Sequence, residues 1–491
     1  MRRAIDQLQW DNAYARLGAV FYQPIRPTPL PAPYLVAFNP DAAALLDLDE
    51  TAATDPRLLA AINGEIELPG THPLATIYAG HQFGVWVPQL GDGRAILLGE
   101  AINRRHERWD VQIKGAGPTA FSRMGDGRAV LRSTIREYLG SEAMHGLGIP
   151  STRALAIVGS NAPVYRERTE TAAVLVRLAP THVRFGTFEL FASRGERTHV
   201  ARLADHVIEL YFPELLTLPA AERYRAWYRS VVTRTARLVA QWTASGFTHG
   251  VLNTDNMSIL GITLDYGPFG WLDAYDRAFV PNHSDPDGRY AFNQQPMVGL
   301  WNCARLAEAL IPLITREAAL EVLEEYRRTY ESEVDTLLHA KLGLVTREPV
   351  DGALISSLFD LLQATATDYT RFFRTLSRYA PGETSRREAL YREVSDTAAL
   401  DTWLARYAPR ILRDDADPAD RERQMLGTNP AFVLRTWLAE DAIRQAQAGN
   451  FERIEEIRRV LRAPFDEHAD FAHFAAAPPE WARELALSCS S

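Results

Sequence analysis

The sequence predicts an α+β protein built as two lobes. Strand patterns crowd the chain from about residue 85 to 185, and helical patterns dominate beyond about 190. Four stretches follow: a 1–84 extension wrapping the core, a β-rich lobe at 85–188, a helical lobe at 189–345 and a helical extension at 346–491.

The elements are justified in order. Residues 1 to about 75 are rich in proline and alanine, and the run Gln23 to Pro31 reads as extended because proline fixes its own φ and restrains its neighbour. Asp41 to Leu48 reads as a short helix. Gly91-Asp92-Gly93 is a turn before the apolar run Ala95 to Glu100. Trp109, Val111 and Ile113 then alternate with Asp110, Gln112 and Lys114, which puts the apolar trio on one strand face and Lys114 on the other. Ser133 to Met144 reads as a helix, and Leu155–Val158 and Ala173–Leu178 as strands. Tyr224, Trp227, Val231, Leu238 and Trp242 recur at helical spacing up to a stop at Ser245-Gly246. Residues 301 to 340 read as amphipathic and helical, and the remainder as mostly helical, broken by polar stretches such as Arg413 to Pro418.

Bulk properties exclude several classes. The 491 residues are 46% hydrophobic and 23% charged, ordinary for a globular chain. A net charge of −9 argues against nucleic acid or an anionic membrane as partner. No apolar run is long enough to span a bilayer, and the N-terminus has no apolar signal core, so a cytoplasmic location is expected. Two cysteines, Cys303 and Cys489, exclude a disulfide-rich scaffold, and no H-E-x-x-H motif or Cys/His cluster points to zinc.

The chemistry concentrates in Thr248 to Asn256, followed by Asp265-Tyr266-Gly267. His249 and Asn256 keep the spacing of a protein-kinase catalytic loop, H-R-D-x-x-x-x-N, and Asp265 opens a triplet like D-F-G. The position of the kinase base, however, is Val251, which takes no proton. Either the chain only binds nucleotide, or it runs different chemistry on a kinase-like scaffold. Lys114 ends Val111-Gln112-Ile113-Lys114, in the manner of the kinase strand lysine that neutralises phosphate, and Glu137 on the following helix would hold it. Gly91 and Gly93, beside Arg94, sit where a glycine-rich loop would approach phosphates, although the stretch is not a full G-x-G-x-x-G and taken alone is better explained as a plain hairpin turn. Gly125-Asp126-Gly127-Arg128 is a second such turn. Arg177 on a mostly apolar strand, and Arg184 beyond Pro180, need an anion or a structural carboxylate partner. Asn256 and Asp265 offer hard oxygens suited to magnesium. Asp255 is the only carboxylate beside them that can replace the missing base, with a turn-capping role as the plain alternative.

Across these motifs, together with Tyr78 to Gly84, Gln89 to Arg94, Gln112 to Thr119, Ser133 to Glu137 and Asp265 to Gly270, the chain resembles the selenoprotein O (SelO) family nearly end to end. The resemblance implies a protein-kinase-like pseudokinase fold that acts as a protein adenylyltransferase, with ATP bound flipped relative to kinases. By motif it implies nucleotide contacts from Gly91, Gly93, Arg94, Lys114, Asp126, Gly127, Arg177 and Arg184. It implies Mg2+ or Mn2+ on Asn256 and Asp265, proton acceptance by Asp255, and a Lys114–Glu137 pair. The acceptors would be Ser, Thr or Tyr hydroxyls of protein substrates, with the chain expected to act as a monomer. Family members can also form a regulatory disulfide from a cysteine near the C-terminus. Cys489 matches that position, and Cys303 is the only partner candidate; a buried Cys303 and a free tail thiol is the plain alternative. AMP transfer thus competes with UMP transfer from UTP, conventional phosphoryl transfer and a non-catalytic nucleotide-binding scaffold.

Overall fold

The computed structural model describes residues 4–482, 485 and 487. Ten strands form one sheet: β1 Gln9–Trp10, β2 Tyr22–Pro24, β3 Tyr34–Phe38, β4 Leu74–Gln82, β5 Val85–Gly91, β6 Ala95–Ile102, β7 Arg108–Lys114, β8 Ala129–Val130, β9 Arg153–Tyr165 and β10 Thr169–Ala179. The main order is β2-β4-β6-β7-β10-β9-β3, with β1 on β6, β5 on β4 and β8 on β10. The strand pairings are antiparallel. Helices α1 Pro40–Ala44 and α2 Pro56–Ile62 belong to the leading segment, and α3 Leu131–Gly146 crosses between β8 and β9.

The helical region follows. It comprises α4 Phe185–Ser193, α5 Arg197–Tyr211, α6 Ala220–Ser245, α7 Gln295–Leu310 and α8 Arg316–Leu342. Then come α9 Asp351–Thr365, α10 Tyr369–Leu376, α11 Thr384–Tyr391, α12 Thr397–Arg413, α13 Pro418–Leu426, α14 Thr436–Gln447 and α15 Glu452–Arg462. A two-stranded ribbon, β11 Phe247–Thr248 with β12 Gly270–Trp271, closes the loop that carries the 249–256 motif. The chain is therefore a mixed α+β protein, an antiparallel sheet followed by a largely helical region. Among the described residues no helix is long and apolar enough to cross a membrane.

The period-two pattern explains how the sheet is buried. Ile96, Leu98, Val111, Ile113, Val174, Val176 and Leu178 share one face, packed against Leu30, Ala42, Leu46, Leu58 and Ile62 of the leading segment. Leu97, Ala173 and Leu175 point the other way, into a core with Ile135, Tyr138 and Leu139 of α3 and with residues of α4 to α7. Burial of both faces accounts for the near-continuous apolar runs in β6 and β10.

Two sequence expectations need adjustment. The sheet begins well before residue 85, because β2, β3 and β4 pair into it. The partners of β2 and β3 lie far away in sequence, and Pro24 masks the strand signal of β2 at a position a sheet edge tolerates. The 301–340 segment is helical as expected and divides into the end of α7 and most of α8. Pro312 interrupts the ladder at the end of α7, and the Thr315 side chain accepts from the Ala318 N–H to start α8. The helix expected at Asp41–Leu48 is shorter, running from Pro40 to Ala44 under an Asn39 cap.

Lys341, near the end of α8, is buried at 4% exposure, with its ammonium over the rings of Phe373 (4.3 Å) and Tyr369 (5.2 Å). Burial pushes its pKa from 10.5 down to about 7. Between those values the unfolded chain holds a proton that the folded chain has released, so this group adds stability as pH rises from about 7 to 10.5. The ring faces recover only part of the cost of burying the charge. Lys341→Met is expected to raise Tm by roughly 2–4 °C at pH 6.5, with the gain shrinking toward pH 10, as measured by calorimetry at both pH values.

Candidate functional site

The central strands β7 and β10 lie side by side, with Arg177 opposite Gln112 and Leu175 opposite Lys114. Their polar side chains therefore emerge on one face, beside α3. Lys114 Nζ donates to Glu137 Oε2 at 2.6 Å and to Asp265 Oδ1 at 2.6 Å. Arg177 Nη1 donates to Glu137 Oε1 at 2.8 Å and to Asp265 Oδ1 at 3.1 Å, while its Nε donates to Gln112 Oε1 at 2.7 Å. Two buried cations thus share two carboxylates, one from α3 and one from the 265 loop. Burial alone would raise the Asp265 carboxyl, but Lys114 and Arg177 hold it well below the usual carboxylate range. Asp265 adopts φ +66°, a conformation that a non-glycine residue holds only when its surroundings impose it.

A cavity of about 330 Å3 opens above this cluster. Gly91, Gly93, Arg94, Lys114, Asp126, Gly127, Arg177, Arg184 and Asp265 all border it. Six basic side chains line it against three carboxylates, in a protein whose net charge is −9. Arg94 is exposed at its mouth. Arg184 is buried, stacked 4.5 Å over the Tyr78 ring, and donates to the Asp255 carbonyl at 2.9 Å. Asp126 is held by a two-pronged pair with Arg166 at 2.8 and 2.9 Å, which lowers its pKa. Gly127 sits at φ +67° with Gly117 O 2.1 Å from where a Cβ would stand, so the second turn tolerates no side chain.

The 249–256 loop lies beside the cavity, tied to it through Arg184 and the 265 loop, and lines none of it. The buried His249 ring spans both loops: Nε2 pairs with the Leu264 carbonyl at 3.0 Å, and the Val251 N–H approaches Nδ1 at 3.4 Å. Asn256 Nδ2 donates to the Val251 carbonyl at 2.9 Å, which turns its Oδ1 to be the free oxygen. Asp255 is 6% exposed; its Oδ2 accepts from Gln82 Nε2 at 3.0 Å, and its Oδ1 is buried without a partner. Burial pushes this carboxyl up to about 6, against the opposing pull of the Gln82 bond and of Arg184.

Of the residues singled out from sequence, Glu137 lies beneath the cavity, and Asp255 and Asn256 lie on the adjoining loop. Cys303 is distant from this group in kind. It sits fully buried in α7, and burial raises its thiol to about 12, the environment of an unreactive cysteine. Cys489 lies outside the described residues. Arg128 of the second turn lines the cavity as well, whereas sequence reasoning missed Tyr78, Phe121 and Arg166 of the lining, and Gln82 beside Asp255. The Tyr78–Gly84 motif was the available signal for two of them. Arg166 stands in a hairpin turn with nothing local to mark it.

A cation-lined cleft floored by a buried lysine–carboxylate–arginine cluster has the chemistry of a polyphosphate-binding class of site. Comparison with known proteins narrows that class. The family described as "Protein adenylyltransferase SelO" matches residues 4–462. The chain is 52% identical over 487 residues to "Protein nucleotidyltransferase YdiU" of Myxococcus xanthus (strain DK1622), covering 99% of each chain. It is 50% identical over 497 residues to the protein of the same description from Thioalkalivibrio sulfidiphilus (strain HL-EbGR7), and 50% identical over 490 residues to that of Thiobacillus denitrificans (strain ATCC 25259 / T1), again covering 99% of each chain. The chain belongs to the SelO family of protein adenylyltransferases and is a protein nucleotidyltransferase.

Proposed function

We propose that this chain transfers AMP from ATP to Ser, Thr or Tyr hydroxyls of protein substrates and releases pyrophosphate. In this reading the sheet and the first helices form a protein-kinase-like two-lobed scaffold, with the nucleotide flipped so that its α-phosphate faces the acceptor. The observation that carries the reading is Asp255: a carboxylate next to the cleft, with one oxygen held and the other unpartnered, where Val251 rules out the ordinary kinase base.

The steps assigned to the chain's own residues are these. Arg94, Lys114, Arg177 and Arg184 neutralise the triphosphate and the charge that builds on the departing pyrophosphate. Glu137 keeps Lys114 and Arg177 extended toward it. The Gly91–Gly93 and Asp126–Gly127 turns close on the phosphates. Asp255 takes the proton of the attacking hydroxyl as its oxygen bonds to the α-phosphorus, and the bond to the leaving phosphate breaks.

The donor set fits Mg2+ or Mn2+. Asn256 Oδ1 and the Asp265 carboxylate are hard oxygens, and among the described residues no group of three or more His, Cys, Asp or Glu is placed to cage a metal. Such an ion completes its shell with water and phosphate oxygens. When bound, it supplies further neutralisation of phosphate charge.

The test uses ATP labelled separately at the α and γ positions, with α-labelled UTP beside it. Label is expected to enter protein from α-ATP only. Entry from γ-ATP alone would make the chain a conventional phosphotransferase, preference for UTP would make it a uridylyltransferase, and stabilisation by ATP with no transfer would make it a binding scaffold.

A further inference from the structure

The strand β4 ends in Gly80-His81-Gln82 and turns through Phe83-Gly84, and beyond its ladder with β5 its polar contacts here run to the 253–255 loop, Glu189 and Tyr290. Gly80 lets the strand lie against the loop: a Cβ there would stand 2.9 Å from Asp255 Oδ1 and 3.0 Å from Thr254 Oγ1. The His81 N–H donates to Thr254 Oγ1 at 2.7 Å, and its ring Nδ1 pairs with Glu189 Oε1 of α4 at 2.7 Å. The Phe83 N–H donates to the Tyr290 hydroxyl at 2.8 Å and approaches Asn253 Oδ1 at 3.2 Å; the Tyr290 hydroxyl in turn donates to Asn253 Oδ1 at 2.5 Å. Phe83 sits at φ +52°, a left-handed turn that a phenylalanine adopts only under constraint. The hairpin tip is thus pinned from three sides, and Gln82 is carried at its centre.

Among the described residues, only the Gln82 side chain hydrogen-bonds the Asp255 carboxylate. Its Nε2 donates to Asp255 Oδ2 at 3.0 Å, whereas Arg184, the nearby cation, bonds the Asp255 backbone carbonyl and not its side chain. With Oδ2 engaged and Oδ1 packed against Gly80, the carboxylate plane is set. Without the amide, the side chain is free to turn about its last torsion, whose well is broad. We propose that Gln82 is a positioning residue for the transfer reaction, fixing the plane of the Asp255 carboxylate so that it can take the proton of the acceptor hydroxyl. The proposal rests on the reading of Asp255 as proton acceptor.

The experiment compares Gln82→Met and Gln82→Glu, which keep the side chain's length but remove the donor, with Asp255→Asn and the Gln82→Met/Asp255→Asn double variant. Both Gln82 variants are expected to lose about 10- to 100-fold in kcat, the scale on which small misplacements of a catalytic group act. KM for ATP should stay within about twofold of wild type, and calorimetric affinity for a non-hydrolysable ATP analogue should be unchanged, because the amide touches no phosphate-binding residue. In the double variant the Gln82 change should cost nothing beyond Asp255→Asn alone, since its effect passes through that carboxylate. A wild-type kcat in Gln82→Met, or an undiminished further loss in the double variant, would overturn the proposal while leaving Asp255 in place. Full turnover by Asp255→Asn would instead overturn the proton-acceptor reading, and the proposal with it.

Discussion

Asp265→Ala is expected to abolish AMP transfer and to erase the part of nucleotide affinity that depends on a divalent ion. Asp265 does two jobs that no neighbour can take over. Its carboxylate is one of two hard oxygens proposed for the ion, and its Oδ1 accepts from both Lys114 and Arg177. Its loss leaves two buried cations sharing Glu137 alone. Breaking a buried pair costs about 3–5 kcal/mol, and the lower end applies because the Asp265 side chain is 29% exposed. Affinity measured without metal should be retained or improved, since Lys114 and Arg177 lose a carboxylate that competes with phosphate. Titration calorimetry with an ATP analogue, with and without magnesium, separates the two terms. An unchanged magnesium-dependent increment would remove Asp265 from the metal site.

Asp255→Ala has a different expected signature. Turnover should fall by about 10²- to 10⁴-fold, the usual worth of a positioned proton acceptor, while nucleotide affinity stays within a few-fold. The reason is geometric. The Asp255 carboxylate points to Gln82 and to an unpartnered oxygen, not into the cation cluster, and its link to Arg184 runs through the backbone carbonyl, which alanine retains. Single-turnover transfer of α-label, read beside the calorimetry, distinguishes this outcome from that of Asp265→Ala. If Asp255→Ala loses nucleotide binding as completely as Asp265→Ala, Asp255 is a ligand or a structural residue.

Much of the candidate site was legible because local rules governed it. The alternation in 109–114 predicted that Lys114 would face away from the apolar trio, and Val111 and Ile113 are indeed in the core on the opposite face. Glu137 was readable from its place on a helix 23 residues beyond Lys114, and the two meet at 2.6 Å. Arg177 announced itself as a charge on an apolar strand, and it found two carboxylates. What escaped were contacts made by chain closure. Arg166 reaches Asp126 across 40 positions, and Gln82 reaches Asp255 across 173. Nothing in their immediate neighbours encodes such meetings. The early strands were missed for the same reason, since β3 pairs with β9, more than a hundred residues further on.

The pairing of β7 with β10 has a consequence for how this protein can fail. Lys114, Gln112 and Arg177 project from adjacent rungs of one ladder, while Ile113, Val176 and Val111 occupy the opposite side. A slip of a single residue would swap the two sides, driving charges into oil and leaving valines in the cleft. A chain that settles in the wrong alignment therefore forfeits its core along with its chemistry, and a sturdy but idle version of this molecule cannot arise by that route.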